Sequence, residues 1–144
     1  MGDLTKNLSR SEFECKCDYP ECTRTPVDFD LPPVMQDCID HFAHGERGRI
    51  PTFQRVACHI NSGFRCAKHN TDEGGAETSP HLLGMASDHW MEYVYSDRPR
   101  VKIHDDLVAD YYELRYPDQY GIGRYVGRTH IDTRDDGPAR WDNR

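Results

Sequence analysis

A chain of 144 residues suits one domain with a modest core, and an apolar content of 36% fits a loop-rich α+β domain better than a helical bundle. A formal net charge of −7 argues against a nucleic-acid partner. No apolar run approaches membrane-spanning length, and Met1 to Asn7 lacks the hydrophobic core of a signal peptide, so synthesis in a cytosol is expected.

Leu8 to Phe13 predicts a short capped helix or turn, because Ser9 and Glu12 stand at capping-box spacing. Cys15 to Pro33 reads as loop, rich in Pro, Asp and Thr. Residues 1–33 are thus expected as a cysteine-containing region packed on the rest of a single 1–144 domain. Cys15, Cys17 and Cys22 offer three thiolates to a structural zinc or, outside a cell, to disulfides. Cys15-x-Cys17 is tighter than a usual zinc knuckle, and a fourth ligand would have to come from afar. Both points weigh against a second zinc there. Cys38, Cys58 and Cys66 are scattered, and Cys38 and Cys58 read as buried free thiols.

Pro33 to Ala43 predicts a helix, with Val34, Cys38, Ile39 and Phe42 on one face. Pro32-Pro33 suits its first turn and Gly45 its end. Val56 to Asn61 predicts a strand, Ser62 to Arg65 a turn, and Ala67 to Asp72 a short helix. Met85 to Tyr95 predicts a second strand. Ile103 to Leu114 predicts a helix with Leu107, Val108, Tyr111 and Leu114 as its apolar stripe. Tyr120 to Tyr125 and Thr129 to Thr133 predict an antiparallel hairpin joined near Gly127.

The chemistry concentrates in Ser79-Pro80-His81-Leu82-Leu83-Gly84-Met85-Ala86-Ser87-Asp88, read with His130-Ile131-Asp132. Two histidines and one carboxylate leave a fourth position open on zinc, which a catalytic zinc needs. Gly84 permits a tight return that folds His81 back toward the strand carrying Asp88. Asp132 shares the strand face of His130, where a carboxylate could take a proton from water activated by the metal. His89 is a reserve base but faces away from Asp88 on a regular strand. A lone histidine reads as an ordinary polar residue, and His59, His69 and His104 are read that way. The combined spacing of His81, Gly84, Ala86 and Asp88 overrides that reading for the ligand set.

Several segments together resemble a family: Ser62-Gly63-Phe64-Arg65, Asn70, Gly74-Gly75-Ala76, Ser79-x-His81-x-x-Gly84-x-Ala86-x-Asp88, Gly121-Ile122-Gly123-x-Tyr125, Thr129 to Arg134, and Arg140-Trp141. They are similar to the zinc D-Ala-D-Ala carboxypeptidase family, in its branch of small phage and bacterial peptidoglycan peptidases. That fold is shared with the hedgehog signalling domain. The resemblance implies a small, mainly antiparallel sheet with helices on one face. It implies zinc on His81, Asp88 and His130, with Arg65 close to the substrate, and Ser79 lining the pocket or bracing the His81 loop. Relatives place a glutamate three residues before the last histidine as base, where this chain has Gly127. Asp132 is therefore the expected base, or else a group that orients a ligand.

The implied reaction is hydrolysis of a peptidoglycan stem-peptide bond, as a carboxypeptidase or an endopeptidase. The implied protein is a monomer without membrane or nucleic-acid partners. Its expected place is the host cytoplasm before release to the wall, as for an endolysin, or the virion. The rival expectation is a non-catalytic zinc-binding or virion structural module on the same fold.

Overall fold

A computed structural model describes residues 2–24, 26–45 and 53–144. Met1 and Thr25 of the N-terminal region lie outside the described residues. Helix α1 spans Leu31–Gly45, starting two residues earlier than expected, with both prolines in its first turn. Strand β1 (Arg55–Ser62) leads to the short helix α2 (Ala67–Asp72). Then come β2 (Ala86–Val94), the two-residue β3 (Val101–Lys102) and helix α3 (Asp105–Arg115). The chain closes with β4 (Gly121–Tyr125), β5 (Arg128–Asp132) and β6 (Ala139–Asp142).

The strands form one sheet in the order β1-β2-β5-β4-β6, with β3 added to β2. Every pairing is antiparallel except that of β6 with β4, which is parallel. The fold is thus α+β with a mostly antiparallel sheet, as expected. The chain order alone hid β3 and β6, because two and four residues are too short for a strand pattern to stand out.

Strand alternation divides β2 into two faces of different chemistry, both largely buried. Met91 and Tyr93 turn toward α1 and α3, into a core with Val56, Ile122 and Ile131. Leu31, Met35, Cys38 and Ile39 close that core from α1. Each fully buried side chain of this kind contributes roughly 1.5–3 kcal/mol. The opposite face of β2 carries Asp88.

The expected stripe of α3 is corrected by about one residue. Val108, Ala109 and Tyr112 are buried, whereas Leu107 is 53% and Leu114 84% exposed. Two overlapping apolar stripes run along this helix, so periodicity could not choose between them. Tertiary contacts choose: Tyr112 carries a hydroxyl that reaches His89 on the sheet, and Ala109 allows close approach.

His89 is fully buried beneath α3. Ser87 Oγ lies 3.1 Å from its Nδ1 and Tyr112 Oη 2.9 Å from its Nε2. Both partners are hydroxyls, which can donate or accept, so either neutral tautomer is satisfied. Burial pushes this imidazole down to about 4, from an ordinary 6.5. A base with a lowered folded-state pKa stabilises the protein above its unfolded value and loses that contribution as pH falls toward the folded one. His89 should therefore remove about 3 kcal/mol of stability between pH 6.5 and about 4. Urea unfolding of His89→Gln should show a shallower acid slope over that range. Identical slopes in the two proteins would refute the assignment.

Candidate metal centre

Three elements bring the site together. β2 and β5 pair with Asp88 opposite His130 and Ala86 opposite Asp132. Residues opposite one another in a ladder share a face with Cβ atoms roughly 4.5–5.5 Å apart, so the two ligand candidates meet without any loop. His81 comes from a 3₁₀ turn, Pro80–Leu83. Ser79 caps that turn, its Oγ accepting from the His81 N–H at 3.3 Å. Gly84 ends it at φ 68°, in the left-handed region, where a Cβ would also strike the Pro26 carbonyl oxygen.

The donor atoms of His81, Asp88 and His130 all lie within 4.8 Å of one another, and all three residues are buried. His81 Nδ1 sits 2.7 Å from the Gly63 carbonyl oxygen. A carbonyl only accepts, so Nδ1 carries the hydrogen and Nε2 presents a lone pair to the site. That Nε2 is buried without a hydrogen-bond partner, 3.4 Å from Asp88 Oδ2. A lone pair and a carboxylate facing each other in a buried site call for a cation between them. The donor set fits zinc: two imidazoles and one carboxylate.

His130 is gripped at both ring nitrogens, by Asp88 Oδ1 at 2.8 Å and by Asp132 Oδ2 at 2.8 Å. Burial opposes charge on this ring, but the carboxylates of Asp132 and Asp88 overcome it and raise its pKa. Burial likewise works against the Asp88 carboxylate, yet the hydrogen bond from His130 helps hold its pKa far below the usual range. With a cation at the centre, Nδ1 would face the metal while the Nε2–H donated to the Asp132 carboxylate.

Asp132 is fully buried, and both its oxygens are taken. Arg134 donates from Nε and Nη2 at 2.7 Å each, and the Gly121 N–H donates at 3.2 Å. These bonds outweigh the opposing effect of burial and hold the Asp132 carboxyl well below the carboxylate range. The geometry is that of a carboxylate orienting a ligand histidine. Gly121 makes it feasible, since a Cβ there would lie within 2.6 Å of the Asp132 carboxylate.

The centre opens into a cleft of about 640 Å³ lined in part by Arg65, Ser79, Arg128, Trp141 and Glu73. Arg65 is fixed on three sides: Nε to Ser62 Oγ at 2.9 Å, Nη1 to Asn70 Oδ1 at 3.3 Å, and Nη2 to Asp88 Oδ2 at 3.2 Å. A bulge in β1 between Ile60 and Ser62 sets Ser62 opposite Asp88, on the side where it meets Arg65. Arg128 lies over the Tyr125 ring at 4.1 Å, with Nε 3.9 Å from Asp88 Oδ2. Trp141 Nε1 donates to Tyr125 Oη at 2.8 Å, and its ring lies 4.9 Å from that of His130. Arg128 and the wall of Tyr125 and Trp141 went unremarked as site residues in the sequence. Their signal was the spacing from the His130 strand, which only the β4–β5–β6 pairing turns into proximity.

The other histidines take different places. His59 stacks on Trp90 and lies 2.8 Å from Glu92 Oε1, His69 Nε2 is 3.8 Å from Glu73 Oε1, and His104 caps α3 by accepting from the Asp106 N–H. His89 is on the core face, as strand alternation required.

Removing the charge that orients His130 should weaken the centre. Asp132→Asn is expected to lower its zinc affinity about 10–100-fold, read by competition with a chromophoric chelator. Gly121→Ala should act in the same direction by displacing the carboxylate. Unchanged affinity in both variants would remove the orienting role.

No curated protein sequence and no solved structure matches the chain significantly. The sequence model of the Peptidase M15 family matches residues 6–132, which take in Arg65, the Ser79–Asp88 segment and His130. That match spans most of the 144 residues and carries all three metal-ligand candidates, and on it the chain belongs to the M15 family of metallopeptidases.

Proposed function

We propose that the chain is a zinc-dependent peptidase acting on the stem peptides of peptidoglycan, in the manner of a small endolysin. The observation that carries this reading is the buried His81–Asp88–His130 set, with an unpartnered Nε2, at the floor of a cleft lined by the guanidinium groups of Arg65, Arg128 and Arg134. Held by those three residues, zinc would supply Lewis-acid polarisation of a scissile carbonyl and acidify water.

The chain's own groups divide the remaining work. Arg65 is clamped by Ser62, Asn70 and Asp88, so it presents a fixed charge beside the centre. Arg128 is held more loosely, with a side chain 39% exposed, and keeps donors free for a substrate carboxylate or a developing oxyanion. A stem peptide ends in a carboxylate, which suits a cleft with this charge. Trp141 and Tyr125 give the cleft an aromatic wall for the substrate backbone.

Asp132 is assigned to holding His130. A base works best with a pKa near the operating pH, and the bonds from Arg134 and His130 keep Asp132 far below that. Among the described residues lining the cleft, the carboxylate outside the ligand set is Glu73. Glu73 is the proton acceptor we assign. Its side chain is 55% exposed at the cleft rim, with His69 Nε2 3.8 Å from Oε1, and remains open to a bound substrate.

The rival reading of a non-catalytic zinc module, at the wall or in a virion, rests on Gly127. It occupies the β4–β5 turn at φ 88° with open space around it, so no acid stands there.

Metal-loaded protein should be incubated with intact peptidoglycan and with a peptide ending in D-Ala-D-Ala, and the products followed by mass spectrometry. Wild type should cleave one of them, and His81→Ala neither. Glu73→Gln should lose about 10²–10⁴-fold in kcat with its zinc content unchanged. Arg128→Ala should chiefly raise KM. Full activity in Glu73→Gln would return the base's role to another group. No product from either substrate would leave the binding module as the reading.

A further inference from the structure

Away from the cleft, the thiols of Cys15, Cys17, Cys22 and Cys66 converge in a small cluster with Phe64 and Tyr19. All six cysteines of the chain are free. The four Sγ atoms all lie within 4.8 Å of one another, and those of Cys17 and Cys66 are 3.7 Å apart. Four sulfurs about 2.3 Å from a central zinc define a tetrahedron with edges of about 3.8 Å. A disulfide would draw two of them to about 2.05 Å. The spacing is that of ligands around one ion.

We propose that Cys15, Cys17, Cys22 and Cys66 bind a second, structural zinc that clamps the N-terminal segment to the turn carrying Arg65. Four thiolates close the coordination shell, which marks a structural site and leaves no position for chemistry. Backbone N–H groups already point at two of the sulfurs: that of Cys66 at Cys15 Sγ, 3.4 Å, and that of Arg24 at Cys22 Sγ, 3.3 Å. Such donors favour thiolates over thiols. Four thiolates around a dication leave negative charge in excess. Arg24 brings a guanidinium next to it, bonded to the carbonyls of Cys17 at 2.8 Å and Cys15 at 3.4 Å. Arg24 also adopts φ 63°, a left-handed conformation that is strained for a residue with a side chain. Strain of this kind persists where the surroundings hold it in place, and a metal cross-link on Cys22 does so.

The clamp bears on the catalytic side through the chain itself. Cys66 follows Arg65 directly, and the same turn supplies the Gly63 carbonyl that fixes the His81 ring. The Phe64 N–H donates to the Phe13 carbonyl at 2.8 Å, so the turn is held from the N-terminal segment by backbone as well.

The test is metal stoichiometry, which does not depend on turnover. Protein prepared under reducing conditions with zinc, then freed of excess metal without chelator, should hold two zinc ions per chain by plasma mass spectrometry. His81→Ala should keep one, and Cys17→Ser and Cys22→Ser should each lose one. Zinc K-edge absorption of His81→Ala should show a shell of sulfur alone at about 2.3 Å. That measurement decides even if the cysteine variants prove insoluble. A wild type whose zinc is lost altogether in His81→Ala would overturn the proposal, as would disulfides among these cysteines in the unreduced protein. A single zinc with a pure sulfur shell in the wild type would uphold this site while sinking the His81 centre.

Discussion

Asp88 is the residue around which the described structure is arranged. Its two oxygens face His130 Nδ1 at 2.8 Å, His81 Nε2 at 3.4 Å and Arg65 Nη2 at 3.2 Å, with Arg128 Nε at 3.9 Å. A buried carboxylate carries a penalty of several kcal/mol unless charge and hydrogen bonds match it. Each neighbour reaches it by a different structural route. His130 arrives through strand register, His81 through a capped 3₁₀ turn, and Arg65 from the turn after a bulged strand. Loss of any one route leaves the carboxylate short of a partner, which ties these parts of the fold to one another.

The sheet separates stability from chemistry by the simplest means available to a strand. Asp88 and His89 are neighbours in sequence and lie on opposite faces. Asp88 faces cations and keeps its negative charge. His89 is sealed under α3 between two hydroxyls and stays neutral. The apolar face packs on α1 and α3, and the rigid layer this makes holds the polar face in place. Sites built on strands hold their ligands more closely than sites built on loops. Two of the three ligand candidates here are strand residues, and the third is latched to a turn through Gly63.

Support continues one layer outward. Asp132 holds His130 and is itself held by Arg134 and Gly121. Ser62 and Asn70 hold Arg65. The N-terminal segment holds the turn bearing Arg65, through Phe13 and the cysteine cluster. In this arrangement Asp132 touches His130 and has no exposed surface of its own.

Much of this was legible from residue order alone. Periodicity for α1 and β2, and apolar runs set off by turn residues for β1, α2 and the β4–β5 hairpin, located these elements to within a residue or two. The spacing of His81 and Asp88 and the later His130 pointed to a candidate metal site, and folding brings the three together. Tertiary structure decided the rest. It chose between two apolar stripes on α3, burying the one whose Tyr112 hydroxyl reaches His89 on the sheet. It added β6 in parallel to β4, a pairing with no local signature, and so brought Trp141 to the cleft. It turned Asp132 from a free carboxylate into a filled one, through an Arg134 contact that strand alternation does not encode. It also brought Cys66 to three cysteines more than forty positions away, the distant fourth thiol that spacing alone could not supply. Local sequence determines which face a side chain takes. Which partner waits on that face depends on chain segments far apart, and only folding sets them side by side.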